Sequence, residues 1–134
     1  MAKKSGKFPH LLSPIKIGPL ELKNRIALAP MNETMSGVDG EATEQMLSYF
    51  AARAKGGAGL VSTGAIMGTR LASEFVWGRN LYCFHQGHLQ GLGMLTDRIH
   101  YFGANAAAQM TIRKRPMRLS ANPQVMRCPL QVSR

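Results

Sequence analysis

Three short apolar runs, separated by two stretches of helical periodicity, constrain this chain more than any bulk property. Ile26-Ala27-Leu28-Ala29 is continuously apolar and is stopped by Pro30. A run that is short, unalternating and closed by proline fits a strand buried on both faces. Thr43 to Lys55 reads as a helix. Thr43 can cap its N-terminus, Glu44 suits the first turn, and Met46, Leu47, Phe50, Ala51 and Ala54 recur on one face. Gly56-Gly57 stops it. Gly59 to Thr63 is a second short strand, ending at Gly64-Ala65. His88 to Gly103 is a second helix, with Leu92, Leu95, Ile99 and Phe102 in one stripe. Ala104 to Met110 is the third strand. Its alanines favour helix by propensity, so that assignment rests on the alternation of elements. The order strand, helix, strand, helix, strand argues an α/β fold with parallel strands covered by helices.

Around this core the signals are plainer. Ile15–Gly18 and Leu20–Asn24 read as two short strands joined at Gly18-Pro19, a small hairpin ahead of the main fold. Residues 32–40 and 66–87 read as irregular, and His85 and His88 as solvated loop residues. Gly56-Gly57-Ala58-Gly59 precedes a strand rather than a helix, so it is a helix stop and not a phosphate-binding loop. The chain has 134 residues, enough for one domain at most, and 45 % of them are hydrophobic, which excludes wholesale disorder.

Its formal net charge of +10 raises nucleic-acid binding as a reading. The charge sits at the ends. Residues 1–25 hold six basic residues and one acid, and residues 111–134 hold six basic residues and no acid. The centre is close to neutral. The basic runs lack interleaved aromatics on which bases could stack. Cys83 and Cys128 are too few for a disulfide framework and have no spacing for a zinc site, so no metal is expected. A reducing cytoplasm is the expected compartment. No apolar run follows the basic start as a secretory signal needs, and none is long enough to span a membrane.

In parallel α/β folds ligands gather at the C-terminal ends of the strands. Here those ends read Ala29-Pro30-Met31-Asn32, Thr63-Gly64-Ala65 and Gln109-Met110. Leu12-Ser13-Pro14-Ile15-Lys16-Ile17-Gly18, Leu22-Lys23-Asn24-Arg25-Ile26 and Ala29-Pro30-Met31 resemble the opening of the NADH:flavin oxidoreductase family, the old yellow enzyme group. Tyr49 to Leu60 resembles its first helix running into its second strand. His100 to Ala104, followed by Gln109, resembles its second helix and third strand. The resemblance covers residues 10–110, with the 2,4-dienoyl-CoA reductase and 2-enoate reductase branch as its closest flavour.

That resemblance implies an FMN-dependent (β/α)₈ TIM barrel, which passes hydride from NADH or NADPH to an activated C=C bond of an enoate or enoyl-type substrate. It also implies cofactor-binding positions. Pro30 and Met31 match residues whose backbone lies along the flavin, and the proline fixes φ there. Asn32 stands where the family often has Thr or Cys near a flavin carbonyl, and its amide can still donate. Ala65 matches a small residue beside the flavin. Gln109 matches an amide on the flavin pyrimidine edge, where donor and acceptor side by side are needed. Each residue also has a plainer reading. Pro30 can be a strand stop, Met31 core filler, Ala65 a small turn residue and Gln109 a satisfied buried amide.

A (β/α)₈ barrel needs about 250 residues, and this sequence supplies about three βα units. Residues 1–110 are therefore expected to form a partial FMN-binding barrel. Residues 111–134 read as a basic tail that resembles no family segment, as a frameshifted or truncated frame would give. Such a chain is expected to fold poorly or to associate, to bind FMN weakly at best, and to lack most catalytic residues. Two rival readings are a small basic nucleic-acid-binding protein and an assembly module that completes its barrel with another chain.

Overall fold

The computed structural model describes residues 7–73 and 78–112. β1 (Ile15–Ile17) and β2 (Leu20–Leu22) pair antiparallel, as the Gly18-Pro19 turn leads one to expect. The hairpin and the residues after it close one end of the main sheet. Lys23 Nζ donates to the Phe102 carbonyl at 2.9 Å and Asn24 Nδ2 to the Gly57 carbonyl at 2.7 Å. Asn105 Nδ2 donates to the Glu21 carbonyl at 3.3 Å. Two of these acceptors lie at helix C-termini, where backbone carbonyls lack intrahelical partners.

The main sheet contains β3 (Ala27–Leu28), β4 (Leu60–Met67), β5 (Leu81–Tyr82) and β6 (Asn105–Thr111), all parallel to the strands they pair with. β6 runs along the whole of β4, from Leu60 opposite Asn105 to Met67 opposite Thr111. β3 meets only Leu60 and Val61, and β5 only Ile66 and Met67. A strand has two edges, so β3 and β5 share the edge of β4 that β6 leaves. The connections are α1 (Glu44–Lys55), the short α2 (Arg70–Ser73) and α3 (Gln86–Tyr101). The parallel strands and interleaved helices expected from the sequence are present.

α1 forms as its residues dictate. The Thr43 hydroxyl accepts the Met46 N–H and itself donates to the Met35 carbonyl at 2.6 Å, tying the cap to the preceding loop. Met46, Leu47, Phe50 and Ala54 are buried. With Val61 and Ile66 of β4, Leu81, and Leu95 and Ile99 of α3 they make one core. Full burial of a Leu or Phe contributes about 1.5–3 kcal/mol, so this core holds both helices against the sheet.

Five expectations need correction. The first strand is not buried on both faces: Ala27 is exposed and Leu28 half-buried. The core lies between the helices and the sheet. The second strand does not end at Gly64-Ala65 but runs to Met67, because β6 continues to supply partners past those weak strand formers. The region 66–87 is not wholly irregular, since it holds the end of β4 together with α2 and β5. α3 starts at Gln86, capped by His85 Nδ1, which accepts the Gly87 N–H at 3.1 Å. His85 is exposed, but His88 is not a solvated loop residue. It is half-buried in α3, edge-on to the rings of Tyr82 and Phe84.

Candidate functional site

The C-terminal ends of β3, β4 and β6 bring the sequence-derived positions together. Ala65 and Gln109 are register partners across the β4–β6 pair. The register slips by one residue between Thr63 and Ala65, so Gly64 is the extra residue of a β-bulge. β3 stops pairing at Leu28, and the chain after it, through Pro30 and Met31, lies on Gly64. A Cβ built on Gly64 would overlap the Met31 carbonyl. Only glycine admits so close an approach of two backbones.

Exposure separates the alternatives left open by the sequence. Met31 is 50 % exposed and is not core filler. Gln109 is exposed and is not a buried amide. Pro30 and Asn32 are exposed as well, while Ala65 is half-buried. The structure thus sets Ala65 beside Gln109 in register and the Met31 backbone against Gly64.

Sequence pattern alone passes over Glu33. Its carboxyl folds back onto the same spot, with Oε2 2.7 Å from the position a Gly64 Cβ would take. Its Oε1 is buried and has no partner. Burial outweighs the opposing influence of the nearby backbone of Glu33 and Gly64 and pushes the Glu33 carboxyl above the usual carboxylate range. The turn that folds Glu33 back includes Thr34 at φ 52°, a left-handed conformation rare for a β-branched residue. An acid four residues past the apolar run that ends at Ala29 is the only sequence signal that points to it.

Elsewhere the described residues offer less. No group of three or more His, Cys, Asp and Glu side chains among them could hold a metal ion. None of their helices is long and apolar enough to cross a membrane. A surface groove between α1 and α3, lined by Ser48, Ala52, Lys55, Asp97, Arg98 and Tyr101, lies on the helical face, away from the strand ends.

A model of the NADH:flavin oxidoreductase / NADH oxidase family matches residues 10–134, through the arginine-rich segment. A cinnamate reductase of Clostridium sporogenes is 48 % identical over 109 residues, which are 78 % of this chain and 16 % of that protein. An NADH oxidase of Thermoanaerobacter brockii is 30 % identical over 107 residues, 77 % of this chain and 16 % of its own length. The crystal structure of Old Yellow Enzyme from Pichia sp. AKU4542 superposes with a TM-score of 0.68 and 28 % identity, covering 75 % of this chain and 26 % of that one. The chain therefore spans about a sixth of these two relatives and about a quarter of the Pichia enzyme. The parallel units described above are a partial old yellow enzyme barrel, and the chain belongs to the NADH:flavin oxidoreductase / NADH oxidase family.

Proposed function

We propose that residues 1–110 provide the opening part of the FMN site of an ene-reductase-like oxidoreductase, which passes hydride from NADH or NADPH to an activated C=C bond. The observation that supports this reading is Ala65 opposite Gln109 in register, with the Met31 backbone against the adjacent Gly64. The residues present fit a flat, polar-edged ring. Gln109 offers an exposed amide that can donate and accept side by side, and Asn32 carries a second exposed amide. Ala65 leaves room, and the Met31–Gly64 contact makes a firm floor. The orphaned Oε1 of Glu33 adds a buried acceptor at the same spot.

FMN, when bound, supplies the redox chemistry that amino-acid side chains lack. The chain's own part is to bind and orient it. Pro30 fixes the backbone entering Met31, Gln109 sets the in-plane orientation, and Asn32 tunes electron affinity by donating a hydrogen bond. The substrate class is an enoate or enoyl compound, a reading supported by the 48 % identical cinnamate reductase. The described residues include no identified proton donor, so this chain by itself is expected to bind cofactor without turning over substrate. The cytoplasm is the compartment that suits a chain with two cysteines and no disulfide framework.

Titrating the purified chain into FMN while recording flavin fluorescence and visible absorbance tests the reading. Weak, saturable quenching with shifted absorbance bands is expected, and Gln109→Leu should weaken it roughly tenfold. A free-flavin spectrum at every protein concentration would overturn the proposal.

A further inference from the structure

The bulge in β4 leaves a backbone donor to be satisfied. β3 pairs with β4 only at Leu60 and Val61, so further along, that edge of β4 is met by loop rather than strand. Gly64 is buried there, and a buried N–H without a partner is costly. The side chain that lies against this glycine is Glu33, brought back by the turn through Thr34, with Oε2 2.7 Å from the position a Gly64 Cβ would take. Ala65 then follows the bulge and faces Gln109 in register.

We propose that Glu33 is the positioning residue of this site: its carboxyl takes the Gly64 N–H, pins the bulge, and so holds Ala65 beside Gln109. The flavin part of the inference rests on the reading given under Proposed function. The contact with Gly64 does not depend on it. Glu33 acts through the backbone it fixes, and its unpartnered Oε1 is oriented by the same contact. A glutamate is long enough to make this reach, whereas an aspartate is one methylene short.

The test uses the full chain and its Glu33→Gln, Glu33→Asp and Glu33→Ala variants. Amide hydrogen exchange at Gly64 is measured without FMN, and FMN affinity is measured by fluorescence. Glu33→Gln keeps an acceptor of the same reach, so Gly64 protection and FMN affinity should stay within about twofold of the parent. Glu33→Asp and Glu33→Ala should each lose roughly tenfold in both, while exchange in α1 is unchanged. In the parent, the Gly64 amide proton shift should follow the Glu33 titration, and this dependence should vanish in Glu33→Gln. Unchanged Gly64 protection in Glu33→Asp or Glu33→Ala overturns the inference. So does equal FMN affinity across all four proteins that bind it. Absence of FMN binding in the parent overturns the flavin reading instead, and Glu33 is then judged on Gly64 exchange alone. If Glu33→Ala does not fold, the contrast between Gln and Asp decides.

Discussion

A methyl group at residue 64 has nowhere to go. The Met31 carbonyl and the Glu33 carboxyl already occupy that space, and one of them is backbone, which cannot swing aside. Gly64→Ala is therefore expected to destabilise the fold by about 1–3 kcal/mol, the usual cost of forcing extra volume into a packed site. Chemical denaturation followed by circular dichroism measures it. A midpoint equal to that of the parent would show that the two strand ends can part without cost. This contact could not be read along the chain, because it joins backbones separated by more than thirty residues. Thr43 as a cap and Pro30 as a strand stop were legible, because each acts on its own neighbours. Glu33 was not, since an acid in a polar loop looks the same whether its carboxyl meets water or folds back onto a buried strand.

Between elements, the clearest polar tie joins the start of α1 to the end of α3. Arg98 Nη1 and Nη2 donate to Glu44 Oε1 and Oε2 at 2.7 and 3.1 Å, a two-pronged fork. Those hydrogen bonds hold the Glu44 carboxyl below the usual carboxylate range. A folded-state value below the unfolded one means that this stabilisation is present above the unfolded value. It is lost as pH falls through the folded one. The pair is solvent-exposed, so its effect is small and weakened by salt. Thermal midpoints of the parent and Arg98→Ala, compared across the acidic range at low salt, should differ most near neutrality and converge as pH falls. A constant gap would assign the loss to packing by the arginine stem instead. Glu33 has the opposite sign. Its raised carboxyl favours the folded state below the usual range, and that advantage fades as pH rises through the folded value. At this scale the helices were readable because their apolar stripes repeat every three or four residues. The end of β4 was not, because Gly64 and Ala65 look like a stop and only the pairing with β6 shows that they are not.

For the whole molecule, the sheet is lopsided. β4 is paired on both edges, whereas among the described residues no strand pairs the outer edge of β6, where Met110 is 47 % and Ile112 66 % exposed. Open apolar edges recruit other strands. The chain is expected to self-associate with rising concentration, and Met110→Lys should lower the average mass seen by sedimentation, since an edge lysine discourages pairing. A monomer at every concentration would mean that something else covers this edge. The parallel architecture was legible from the order of elements. How the strand ends touch was not, because it depends on an insertion that no periodicity announces. That insertion also reverses the odd-even pattern along β4. Val61 and Thr63 are buried, yet past the bulge it is Ile66 that joins the core, while Ala65 takes the side shared by Leu60 and Ser62. A straight strand would force a choice between a sealed core and an alanine presented beside Gln109. One glycine removes that conflict, so the length of β4 is as constrained as its composition: losing or gaining a single residue there would turn Ile66 away from the helices it packs with.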